Sequence, residues 1–270
     1  MTNGGVAVAR YEEVADDLRE QIRAGQYEVG GTLPRYEDLT ATYGVGRGVI
    51  SSAIAMLERE GLVRPVKRRG LVVLDWTRER RRITRGLLVS RDPARGYVFP
   101  AASRPDEPWQ VHGRPARAYV PAPPRVAELL GVDQGLPVLR RRRVTSPQGE
   151  VPFQLVDTWI SPEAVRDAPK VAEPSTGPGG YIDRLEEAGH GPISWHEYTR
   201  ARNPEREEYQ LLEISPEMPV FEMALLGTSA KTGQIIDVTI RVIPSDRVEM
   251  ASEMRRSKSA AWPTEPVPGP

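Results

Sequence analysis

The stretch "ATYGVGRGVISSAIAMLEREGLV", residues 41–63, admits few folds. Gly44, Gly46 and Gly48 alternate just ahead of a segment in which Ile50, Ala53, Ile54 and Leu57 recur at helical spacing. A glycine turn that opens a helix can cradle the pyrophosphate of a dinucleotide, join two helices that sit on DNA phosphates, or be no more than a loop. The dinucleotide fingerprint requires a preceding strand, the spacing G-x-G-x-x-G and an acid about 20 residues on. Here residues 35–43 read as a short helix with Leu39 and Tyr43 inward, and the spacing is G-x-G-x-G. The region twenty residues on, 64–69, is basic. The nucleotide reading fails on all three counts.

The flanking residues complete the pattern. Tyr11, Val14, Leu18 and Ile22 form one apolar stripe of a helix over about 10–24, whose other face carries Glu12, Glu13, Asp16, Asp17 and Glu20. "GQYEVGGTLP" breaks the chain before the second helix. The third helix runs over about 47–60, and Gly61 suits the left-handed position that ends it. "LVRPV" and "LVVLDW" then read as two short strands around "KRRG". Three helices followed by a hairpin is the winged-helix order.

These residues resemble the GntR family of bacterial transcription regulators. "AGQYEVGGTLPRYEDL", "YGVGRGVISSAIAMLEREGLV" and "KRRGLVV" agree with the family at several fixed spacings over residues 8–74. The turn departs from the family in carrying Gly46 for the usual serine, a cap weaker by a few tenths of a kcal/mol. Glu37 stands where a DNA-contacting arginine is common, so an operator sequence does not transfer from relatives. A winged helix puts its third helix in the major groove, with Arg47, Gly48, Ser51 and Ser52 nearest the base edges. Arg35 and Tyr36 head the second helix, within reach of phosphates or bases. Lys67, Arg68, Arg69 and Gly70 form the wing tip, suited to the minor groove or the backbone. From 64 to 85 nine basic residues face two acids, a charge near +7 that reads as a phosphate-facing patch or a solvated linker.

A second domain follows a connector, 76–108, rich in arginine and proline, in which order is expected near Tyr97 and Phe99. "LLGVDQGLPVL" (129–139) and "LLEISPEMPVF" (211–221) echo one another, each between a Pro-initiated helix and a pair of strands. Two helix–strand–strand units imply a pseudo-symmetric α+β domain on one antiparallel sheet. Its layout over 109–250 is similar to the UTRA effector-binding domain of the HutC subfamily, a fold like that of chorismate lyase. The resemblance implies a small anionic effector over the sheet. It maps the family's strand arginine onto Arg143, its glutamate onto Asp237, and a loop near the ligand onto Tyr181. Thr145 replaces a second common arginine, and "ARGY" at 94–97 matches an anion-holding loop loosely. Gln154 is inferred from the paired strand alone. Arg140 to Arg143 alternate across a strand, so two can face a pocket and two the solvent, and Arg143 could instead pair with Asp237. Residues 251–270 have the composition of a disordered tail.

The whole reads as an α+β chain: a winged helix-turn-helix domain (8–75), the connector, and a UTRA-like effector-binding and dimerisation domain (109–250). At 270 residues it is long enough for both cores. Zero formal net charge argues against nonspecific coating of nucleic acid, and the absence of cysteine excludes disulfides and thiolate sites. No membrane span or signal core is visible, so a cytoplasmic protein, nucleoid-associated on its operator, is expected. His112, His190 and His196 lack metal-ligand spacing and no hydrolase or P-loop motif occurs, so no cofactor, metal or catalytic residue is assigned. The expected function is a sequence-specific transcriptional regulator, in sign a repressor, whose grip on a pseudo-palindromic operator is modulated by a small effector. A homodimer is expected because one winged helix reads too few base pairs. Two alternatives stay open: a DNA-binding dimer without an effector, and a chorismate-lyase-like enzyme with an accessory DNA-binding domain.

Overall fold

The computed structural model describes residues 9–66, 68–77, 80–85, 88–92, 96–99, 107–252 and 254. The N-terminal module has helices α1 (Arg10–Arg23), α2 (Tyr36–Tyr43) and α3 (Arg47–Arg59), then strands β1 (Val63–Val66) and β2 (Gly70–Val73), an antiparallel wing. Val14, Leu18 and Ile22 of α1 meet Ile50, Ile54 and Leu57 of α3 in one core that also holds Leu39 and the wing's Leu71 and Val73. Each such side chain contributes about 1.5–3 kcal/mol on burial. Thr32 bridges Val72, so the chain between α1 and α2 adds a third edge to the wing.

The three glycines of the turn do three different things. Gly44, at φ +61°, closes α2 in the left-handed region that a side chain disfavours. Gly46 is extended and stands as the N-cap of α3. Gly48 lies in the first turn of α3 with open space where a Cβ would stand. At the far end Gly61 N donates to Glu58 O (3.1 Å) and Leu62 N to Leu57 O (3.0 Å), a Schellman closure that needs the positive φ of Gly61.

The second domain is built on a six-stranded antiparallel sheet. Its strands are β6 (Trp109–Pro121), β7 (Pro137–Pro147), β8 (Gln154–Ile160), β9 (Ser194–Arg202), β10 (Val220–Thr228) and β11 (Ile235–Pro244), in the order β6-β7-β8-β11-β10-β9. With α4 (Pro124–Leu130) and α7 (Arg206–Leu211), this is two strand–helix–strand–strand units meeting at β8 and β11. The repeat is one strand longer than the sequence echo suggests, because each unit opens with a strand, β6 or β9, ahead of its helix. α4 and α7 pack on one face through Val126, Leu130, Trp159, Leu212 and Val220. α5 (Pro162–Asp167) and α6 (Gly180–Leu185), the latter prolonged by a wider turn to His190, cover part of the other face.

The connector is more structured than its composition implies. β3 (Arg81–Arg85) pairs in parallel with β12 (Val248–Ser252), and β4 (Ser90–Asp92) pairs with β5 (Gly96–Val98). β12 therefore carries ordered chain to Ser252, inside the segment expected to be a tail; of the remainder only Met254 is described. Three of the nine basic residues of 64–85 are engaged here. Arg81 donates to Glu107 (2.7 and 2.8 Å) and Glu150 (3.0 Å), Arg82 pairs with Glu249, and Arg85 with Glu197 (3.0 Å). Pairing β3 with β12 sets their side chains beside Glu107 of the connector and carboxylates of the second domain, which sequence proximity to the wing could not reveal. Among the described residues no helix is long and apolar enough to cross a membrane, and no His, Asp and Glu cluster could hold a metal.

Candidate functional site

Two surfaces carry the chemistry. On the first, α3 turns Ile50, Ala53, Ile54 and Leu57 into the core, and helical periodicity leaves Arg47, Gly48, Ser51 and Ser52 exposed on the opposite side. Arg47 and Tyr36, the first residues of α3 and α2, are brought together, with the guanidinium carbon 5.4 Å from the ring centroid. Burial raises the Tyr36 phenol pKa, so it stays a neutral donor. Arg35 is exposed, its backbone N–H donating to Asp38 (3.2 Å). A groove of about 580 Å³ runs between this helix head and the wing, lined by Arg35, Tyr36, Arg68, Arg69 and Gly70.

At the wing tip, Arg68 holds φ +66° and Gly70 φ +100°. For a non-glycine residue the left-handed conformation costs about 1–2 kcal/mol. Arg69 turns away from the tip and donates to Gly30 O (2.9 Å), tying the wing to the loop before α2. Lys67 lies outside the described residues. The acidic face of α1 is tethered by Arg19, which donates to Glu60 (2.7 Å) at the end of α3.

The second surface is a cavity of about 460 Å³ on the sheet face beneath α6. Pleating splits the arginine run of β7. Arg142 turns to the helix face and pairs with Asp157 and Glu207, and Arg140 lies 5.6 Å from the Trp159 ring. Arg141 and Arg143 line the cavity instead. Arg141 is held by three backbone carbonyls, of Val171, Glu173 and Pro174 (2.8, 2.7 and 3.2 Å). Arg143 and Arg241, from β11, make no hydrogen bond or ion pair among the described residues. Burial lowers both pKa values, and Arg143 lowers that of Arg241 further. Arg143 still reaches solvent through the cavity mouth, so an entering anion would meet two poorly compensated cations.

The other residues expected at this site are distributed differently. Tyr181 lines the cavity and donates to Asp237 Oδ2 (3.1 Å). Asp237 is 1% exposed and lies behind Tyr181; Arg143 does not pair with it. Its Oδ1 lies against Gly227, where a Cβ would stand 2.0 Å away, and has no hydrogen-bond partner among the described residues. Burial pushes its carboxyl up to about 7. Gln154 is not in the cavity wall, because it stands four positions along β8 from Thr158, which is; its amide donates to Thr145 (3.0 Å). Arg241 was missed, although Asp237, Thr239 and Arg241 share one strand face by simple alternation.

The two domains also touch directly. Ser215 Oγ donates to Glu58 near the end of α3, Arg64 donates to Glu213 O (2.9 Å), and Arg59 stands 3.5 Å from Glu217. Burial raises the Glu58 pKa.

A helix-turn-helix module joined to a separate sheet domain with its own basic cavity is the build of a one-component transcriptional regulator. Family models match both parts: "Bacterial regulatory proteins, gntR family" over residues 10–73 and "UTRA domain" over residues 116–249. The chain belongs to the GntR-type helix-turn-helix transcriptional regulators that carry a UTRA effector-binding domain. It is 28% identical over 254 residues to an uncharacterized HTH-type transcriptional regulator of Rhizobium meliloti, spanning 92% of this chain and 96% of that one. Over 52 residues it is 42% identical to the HTH-type transcriptional repressor NanR of Klebsiella aerogenes, 19% of this chain and 20% of that one. A solved structure assigned to the GntR-family transcriptional regulators is 25% identical, with TM-score 0.54 over 92% of this chain and 98% of that one.

Proposed function

We propose that this regulator is a cytoplasmic repressor of the HutC type that binds a pseudo-palindromic operator as a homodimer and releases it when an anionic effector fills the sheet cavity. The reading divides the chain into a DNA-binding domain (8–75), a connector (76–108) and an effector and dimerisation domain (109–250). Arg47, Gly48, Ser51 and Ser52 read bases in the major groove. Arg35, Tyr36, Arg68 and Gly70, with Lys67, hold the backbone beside them, while Arg69 braces the wing. Arg143 and Arg241 hold the anion, and Tyr181, fixed by Asp237, lines its site.

One observation carries this reading: the exposed side of α3 is continuous with the Arg47–Tyr36 pair, on the helix whose other side is domain core. A single module reads too few base pairs for specificity, which favours two copies one DNA turn, or a multiple, apart. The repressor sign leans on the local similarity to NanR. Effector control requires that the two DNA-binding arrangements differ in effector affinity.

Selection of bound fragments from a random DNA library tests it. An inverted repeat bound by two protomers is expected, with affinity falling when a stabilising anion is added. Recovery of no preferred site, or of a site bound by one protomer, overturns the proposal.

A further inference from the structure

Tyr97, Val98 and Phe99 line the sheet cavity, yet they belong to the connector and not to the sheet. The hairpin β4–β5 that carries Tyr97 and Val98 is fastened to α6. Arg91 donates to both Asp183 oxygens (3.2 and 2.5 Å), and Tyr97 OH donates to Glu186 in the turn that follows. Gly96, at φ +81°, lies so close to Gly179 that a Cβ would stand 1.8 Å from its carbonyl oxygen. Trp195 backs the wall, 5.1 Å from both the Tyr97 and the Phe99 rings.

The polar groups of the cavity are largely committed. Tyr97 is bound to Glu186, Tyr181 to Asp237, and Arg141 to three carbonyls, while Thr158 and Thr239 bond each other at 3.0 Å. Arg143 and Arg241 are the cavity arginines with no partner among the described residues. A polyhydroxylated ligand would bury hydroxyls against Val98, Phe99, Ile182 and Leu225 with few partners, which is costly.

Resting on the reading of this cavity as the effector site, we propose that the connector hairpin completes it and selects a carboxylate bearing a flat apolar body. The carboxylate meets Arg143 and Arg241, and the body lies against Tyr97 and Phe99. Occupancy then acts on the connector itself, which leads back through β3 to the DNA-binding domain.

Isothermal titration of the full chain with phenylacetate, 3-phenylpropionate, acetate, inorganic phosphate and glucose 6-phosphate tests this. The aryl carboxylates are expected to bind at least about tenfold more tightly than the other three, as burial of a phenyl group implies. Phe99→Ala is expected to erase about tenfold of that preference, and Phe99→Leu, which keeps an apolar side chain, less. Thermal melts confirm that both variants fold. Arg143→Ala is expected to weaken every anion. Tighter binding of glucose 6-phosphate or phosphate that depends on Arg143 overturns the hairpin proposal and leaves the cavity as the effector site. An aryl preference unchanged in both Phe99 variants does the same. Failure of every anion to bind removes the cavity reading as well.

Discussion

The guanidinium carbon of Arg47 lies 5.4 Å from the centre of the Tyr36 ring, so the first residue of α3 is held by the first residue of α2. The contact crosses the helix-turn-helix corner and aims an exposed cation away from the core. At an exposed site it stabilises the fold by about 0.5–1 kcal/mol. Arg47→Ala is therefore expected to leave the melting temperature nearly unchanged while weakening operator binding by about 1–3 kcal/mol. Tyr36→Phe keeps the ring and should retain most of the affinity. Fluorescence anisotropy at fixed salt measures both.

Gly44 and Gly48 are four residues apart and should respond oppositely to alanine. At Gly48 the backbone is helical and the Cβ position open, so Gly48→Ala is expected to stabilise the fold by up to about 1 kcal/mol. The same methyl would keep the backbone from DNA and lower operator affinity. Gly44→Ala forces a side chain into φ +61° and should destabilise by about 1 kcal/mol. Urea unfolding beside DNA titration separates the two effects.

Glu58 is buried at the domain junction and accepts a hydrogen bond from Ser215. Removing that donor with Ser215→Ala leaves a buried acceptor short of a partner, an expected cost of about 1–3 kcal/mol. Glu58→Gln keeps an acceptor for Ser215 without a charge to desolvate, so it should be tolerated. Calorimetry of the three proteins at neutral pH provides the comparison.

Asp237 gives a pH signature. Its native pKa, raised by burial to about 7, exceeds the unfolded value near 4, so the folded state holds a proton that the unfolded chain releases between them. Stability from this group rises as pH falls from 7 toward 4, by up to about 1.4 kcal/mol per pH unit, and is flat above 7. Asp237→Asn is expected to remove that slope while keeping an acceptor for Tyr181. Unfolding free energies of the two proteins across pH 4–8 measure the difference.

Local pattern alone determined the DNA-reading module. Its helices, caps and wing are short-range structures, written in the 3.6-residue spacing of Ile50, Ile54 and Leu57 and in the backbone freedom of Gly44 and Gly61. Periodicity also told which side of α3 is exposed, because the core side names its opposite. The arginine run of β7 likewise announced that alternate residues face apart, but not which pair meets the cavity. Tertiary structure alone decided that Arg241 joins Arg143 from a strand a hundred residues away, and that Asp237 is buried behind Tyr181. It also decided that Arg81, Arg82 and Arg85 pair with carboxylates, and that the connector walls the cavity. Such outcomes depend on strand order, register and the docking of α6, all of them contacts between distant segments, and no spacing within one segment encodes them.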